Sequence, residues 1–112
     1  MARRSQAPEA ALRLLGLAAR AGAVVPGTER VREAARGGRV RMVLVAEDAS
    51  ANAKEKLLPL LAKRGIGYVV AASRDALGAA VGRAPLSAVG VTDRAFADRL
   101  KALIDAESEQ GS

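Results

Sequence analysis

Residues 39–48 read RVRMVLVAED. Arginines alternate with apolar residues at the start, an unbroken aliphatic run follows from Met42 to Ala46, and two carboxylates close it. The run is too short for a typical globular helix and carries no polar face, so it predicts a strand covered on both sides. Such a strand needs a layer of helices on each side of its sheet. The neighbouring sequence is therefore expected to supply amphipathic helices alternating with further strands.

Upstream, APEAALRLLGLAARAG (7–22) repeats apolar positions at Ala11, Leu12, Leu15, Ala18 and Ala19 and closes on Gly22, which predicts a helix with a glycine stop. AVV (23–25) is a short strand cut by Pro26-Gly27. Thr28 is the expected N-cap of a second helix that runs to about Arg36 and stops at Gly37-Gly38.

Downstream, Ser50 or Asn52 is expected to cap a helix over 51–65, with Leu57, Leu58 and Leu61 as its apolar stripe. Pro59 lies inside that pattern, which predicts a kink or a later start. IGYVVAA (66–72) reads as a strand, Ser73 as the cap of a helix over 74–82, and LSAVGV (86–91) as a last strand. A final helix is expected from near Asp93, with Phe96, Leu100, Leu103 and Ile104 on one side. The polar AESEQGS (106–112) and residues 1–6 are read as flexible tails. The order α-β-α-β-α-β-α-β-α predicts a three-layer α/β/α sandwich around a four-stranded mixed sheet, a single domain over residues 1–112.

Composition narrows the chemistry. Cysteine and histidine are both absent from the 112 residues, which excludes disulfides, thiolate nucleophiles and the usual zinc, copper and haem ligands. It also removes the side chain most used for proton transfer near neutral pH. No apolar run reaches the roughly 18 residues of a membrane span, and MARRSQAPEA lacks an apolar signal core, so a cytoplasmic location is expected. The formal charge is +6, and residues 1–41 alone carry nine arginines against three glutamates, while acids and bases balance over 42–112. A segregated basic excess is the footprint of a nucleic-acid binder.

The sharpest local signal is PGTERVRE (26–33). A glycine before a helix start permits close backbone approach, and first-turn amides suit a phosphate. Arg30, Arg32 and Arg36 add charge. The plainer reading is a capped helix with a solvated basic face. Only two aromatics, Tyr68 and Phe96, are available, which argues against base stacking on a single strand and for backbone recognition of folded RNA or DNA. Glu47 and Asp48 end the central strand, where open α/β sheets hold ligands, but the carboxylates and lysine that a phosphoacceptor site would need after later strands are missing. Gly78 and Gly82, in LGAAVGRA (77–84), do not form a dinucleotide fingerprint. They read instead as a close approach of helix to sheet and a helix stop.

Four stretches taken together, LLGLAARAGAVVPGTERV (14–31), VRMVLVAEDASANAKEKL (40–57), LAKRGIGYVVAASRDALGAAVGR (61–83) and AVGVTDRAFADRL (88–100), resemble the L-seven-Ae family of ribosomal proteins, in particular its short bacterial members. The resemblance implies the α/β/α sandwich and, for many members, binding of kink-turn RNA. In the family, the glycine loop and first turns of the second helix enter the bent RNA, and Gly27 and Thr28 match that loop. Glu29, Arg30 and Glu33 stand where the family often has Asn or Lys, then Glu or Gln, then Lys three further on. Carboxylates thus replace two donors. The loop that covers the unstacked base corresponds to Arg83, Ala84, Pro85 and Leu86.

The expected function is recognition of structured, kink-turn-like RNA, in association with ribosomes, by a monomer without cofactor, metal or catalysis. The RNA contacts are expected from Gly27, Thr28, Glu29, Arg30, Arg32, Glu33, Arg36 and the 83–86 loop. The rival readings are a protein-interaction adaptor of the same fold and a small carboxylate or magnesium enzyme built on Glu47 and Asp48.

Overall fold

The computed structural model describes residues 9–110. Nine elements follow one another: α1 (Glu9–Arg20), β1 (Val24–Pro26), α2 (Thr28–Arg36), β2 (Met42–Val45), α3 (Ala51–Lys63), β3 (Gly67–Val70), α4 (Arg74–Ala80), β4 (Ala88–Val91) and α5 (Arg94–Gln110). The alternation and element order match those expected from periodicity.

The four strands form one mixed sheet in the order β1-β4-β2-β3. β4 runs antiparallel to both β1 and β2, and β2 runs parallel to β3. The aliphatic run of residues 42–45 is buried throughout, as is β4. These are the two central strands, which explains their unbroken apolar character. β2 is shorter than the 39–48 run because its partner strand β4 offers four ladder positions, Ala88–Val91.

Helices cover both faces. α2 packs on α3, while α1 packs on α4 and α5. The pleat separates the layers: a Cβ built on Gly90 would point at Val31 of α2, so Val43, in register with Gly90, shares the α2 face. The core is aliphatic, with Leu15, Val31, Leu44, Leu57, Leu61, Leu77, Val89 and Leu100 fully buried. No polar or charged residue is buried among the described residues.

Three local expectations change. Pro59 does not delay α3, which starts at Ala51 and runs to Lys63 with the proline inside it. Pro59 is on the exposed side, where water can satisfy the carbonyl that its missing N–H leaves free. Gly78 faces backbone of the loop after α4 rather than the sheet. The backbone helix of α5 continues through residues 106–110, which composition had marked as tail. Residues 1–6 and 111–112 lie outside the described residues.

Candidate nucleic-acid interface

One end of the sheet gathers the end of β1, the start of β4 and the ends of β2 and β3. Three consecutive residues stitch this rim together. The Leu86 amide donates to the Arg74 carbonyl (3.1 Å), the Ser87 carbonyl accepts from Ala46 (2.9 Å), and the Ala88 carbonyl accepts from Gly27 (2.9 Å). The 83–86 loop and the start of α2, distant in sequence, therefore meet on one rim.

Gly27 is the residue that makes this turn possible. Its φ of +100° with ψ of 146° is a conformation that side chains oppose. Its amide is tied to β4 and its carbonyl accepts the Val31 amide (2.9 Å), the first bond of α2. Gly27 is thus the N-cap, and Thr28, expected as the cap, is instead the first helical residue.

No side chain caps α2. The contrast with the other helices following a strand is plain. Ser50 Oγ accepts from Ala53, Ser73 Oγ from Ala76, and Asp93 Oδ1 from Phe96, each at 3.0 Å. The first-turn amides of α2 find no acceptor among the described residues, and they carry the positive end of the helix dipole.

The side chains around that turn separate by face. Val31, Ala34 and Ala35 are buried against the sheet, while Glu29, Arg30 and Glu33 are exposed. Glu29 does not present a bare carboxylate. Arg32 Nη1 meets it at 3.0 Å, and Lys56 Nζ, from α3, approaches at 3.8 Å. Two cations thus flank one anion. Arg32 Nε is buried with no hydrogen-bond partner, because the side chain lies back along the helix to reach Glu29. Lys56 carried no local signal in the sequence: it meets Glu29 only through the packing of α3 on α2.

Arg36 is separated from this rim. It is eight residues beyond Thr28, about 12 Å along the helix axis, at the end of α2. In the 83–86 loop, Arg83, Ala84 and Pro85 are exposed, whereas Leu86 spends part of its side chain against the core. The loop is drawn in by the Arg83 amide, which donates to the Gly78 carbonyl at 2.8 Å.

Asp48 has a structural task on the same rim. Its Oδ1 accepts the Arg74 amide at 2.8 Å and its Oδ2 is 3.8 Å from Arg74 Nε, binding the end of β2 to the start of α4. No cluster of three or more metal-ligating side chains occurs among the described residues. No described helix is long and apolar enough to cross a membrane.

Comparison with known proteins agrees with this architecture. The chain is 39% identical over 92 residues to the RNA-binding protein YlxQ of Bacillus subtilis, spanning 82% of this chain and 92% of that one. A second YlxQ, from Enterococcus faecium, is 32% identical over 95 residues, 85% and 91% of the two chains. Among solved structures, a protein of unknown function from Bacillus halodurans superposes with a TM-score of 0.81 at 40% identity, covering 85% of this chain and 96% of that one. A 15.5 kD RNA-binding protein of Giardia lamblia shares the fold, with a TM-score of 0.75 at 21% identity and 90% of each chain covered. The sequence profile described as the Ribosomal protein L7Ae/L30e/S12e/Gadd45 family matches residues 9–101, and the chain belongs to that family.

Proposed function

We propose that this protein is a monomeric, non-catalytic binder of structured RNA in the cytoplasm, associated with ribosomes, which receives a kinked RNA on the rim formed by the start of α2 and the 83–86 loop. Its relatives from Bacillus subtilis and Enterococcus faecium are named as RNA-binding proteins. The observation that carries the reading is the Gly27–Ala88 hydrogen bond, which holds an uncapped helix start beside the loop that would cover an unstacked base.

In this reading the α2 amides and Arg30 hold backbone phosphates, and Thr28 approaches a base edge. Glu29, flanked by Arg32 and Lys56, adds little repulsion, since its charge is neutralised locally. Glu33 is exposed one turn beyond Glu29 and Arg30 on the same helix face, further from the helix start that holds the phosphates. The 83–85 segment covers the flipped base.

The test is a fluorescence titration of a kink-turn hairpin against a straight RNA duplex of equal charge at two salt concentrations. Preference for the kinked RNA that persists at the higher salt supports the reading. Equal binding to both, lost together as salt rises, overturns kink recognition, because backbone charge alone then accounts for the affinity. Binding to neither at low salt removes RNA as the ligand and favours the protein-interaction adaptor.

A further inference from the structure

The opposite end of the sheet carries a second concentration of positive charge. There, the end of α2, the start of β2, the end of α3 and the start of α5 enclose a cleft of about 410 Å³ lined by Arg41, Arg64, Arg94 and Asp98. Arg36 and Arg39 lie on the segment that leads from α2 into it. None of these five arginines takes part in an ion pair among the described residues. At the Gly27 rim, Arg32, Lys56 and Arg74 are engaged by Glu29 or Asp48, which leaves Arg30 and Arg83 as its unpaired cations among the described residues. The charge excess of the first third of the chain is therefore divided, and Arg36, Arg39 and Arg41 bring an uncompensated part of it to this end, where Arg64 and Arg94 add to it.

We infer that the cleft is a second RNA site, which takes backbone phosphates of a duplex segment separate from the RNA on the Gly27 rim. The geometry is fixed by backbone. The Arg41 amide donates to the Val91 carbonyl at 2.8 Å, and the Ile66 amide closes the end of α3 onto Leu61 at 2.9 Å. Gly38 and Gly65, with φ of +71° and +68°, turn the chain sharply on either side of the cleft.

Helix stability alone does not explain the arginines. Arg36 and Arg64 suit the negative ends of α2 and α3, but Arg94 opens α5, where the dipole disfavours a cation. Arg41 immediately precedes β2 and has no helix end of its own to complement. Guanidinium groups are matched to phosphate oxygens in planar, bidentate geometry. The lining holds no aromatic side chain, the usual anchor of a protein interface. The inference rests on RNA as the ligand, but not on which face reads the kink.

The experiment compares the intact chain with R41Q/R64Q/R94Q and with R30Q/R32Q. The three cleft arginines are exposed, so a thermal melt of each variant verifies the fold. The probes are a straight RNA duplex, a short kink-turn hairpin and an oligoglutamate peptide, each titrated at several salt concentrations. The cleft variant is expected to lose about tenfold in duplex affinity, and its log–log salt slope to fall by about 2–3, close to 0.9 per phosphate contact removed. Hairpin binding is expected to persist in the cleft variant and to weaken in R30Q/R32Q. Unchanged duplex affinity and slope in R41Q/R64Q/R94Q overturn the inference and leave the rim reading intact. Loss of duplex binding in the cleft variant, with no preference of the intact chain for the hairpin, supports the cleft and defeats the rim. Oligoglutamate binding that the cleft variant loses, while duplex binding stays as before, overturns the inference in favour of an acidic protein partner. Absence of duplex binding by the intact chain at low salt overturns it outright.

Discussion

Gly27 and Ala88 are joined by a 2.9 Å hydrogen bond from the Gly27 amide to the Ala88 carbonyl, which carries the β1–β4 ladder on to the N-cap of α2. A side chain at Gly27 would meet no atom within 4 Å. The constraint at this position is therefore conformational, since φ is +100°. Gly27→Ala is expected to cost about 1–3 kcal/mol of stability through backbone strain alone, read by urea unfolding. The same strain tilts the α2 start away from β4, so kinked-RNA affinity should fall as well. A variant as stable as the parent would show that the turn relaxes freely.

Gly78 is constrained by contact instead. A Cβ there would lie 2.7 Å from the Ala84 carbonyl carbon and 2.9 Å from the Arg83 carbonyl oxygen. Backbone atoms cannot rotate aside as a side chain can, so Gly78→Ala must push the loop outward. The expected loss is about 1–3 kcal/mol, the range for overpacked sites. Discrimination of kinked from straight RNA should drop, while straight-duplex binding holds. Equal weakening toward both RNAs would detach the loop from kink recognition.

These two glycines show what was legible in the sequence. Gly27 announced itself through Pro26 before it and the arginine-bearing helix after it. Gly78 announced only that something came close, and a single strand of text does not say whether a sheet or a returning loop does so. The sandwich was legible because aliphatic runs and helical periods alternate cleanly, and burial follows from them. Charge was less legible. Arg30 and Arg39 lie nine positions apart, yet α2 carries the chain from one end of the sheet to the other between them. Pairings such as Glu29 with Lys56 or Asp48 with Arg74 arise only when separate elements pack, and no local spacing encodes them.

Glu29 lies between Arg32 and Lys56. In Glu29→Gln both cations are released toward phosphate while one negative charge disappears. RNA affinity at low salt is expected to rise several-fold, and the log–log salt slope to steepen by about 1–2. Stability should change by less than about 1 kcal/mol, because exposed ion pairs contribute little. Measured affinity below that of the parent chain would mean that the Glu29 carboxylate itself accepts a hydrogen bond from a base.

Thr28 and Ser73 make a paired test of which helix starts serve the fold and which serve a ligand. Ser73 Oγ accepts the Ala76 amide at 3.0 Å, so Ser73→Ala should cost about 0.5–2 kcal/mol. Thr28 is inside the first turn of α2 and its helix has no side-chain cap. Thr28→Ala therefore removes no cap, and stability should move by less than about 0.5 kcal/mol, as for other surface changes. Its effect should appear in RNA titration instead, as weaker binding of the kinked hairpin. Denaturant unfolding and anisotropy titration of both variants separate the two roles. If Thr28→Ala destabilises the chain as much as Ser73→Ala and leaves RNA affinity untouched, the α2 start is an ordinary helix terminus and the rim has no claim on RNA.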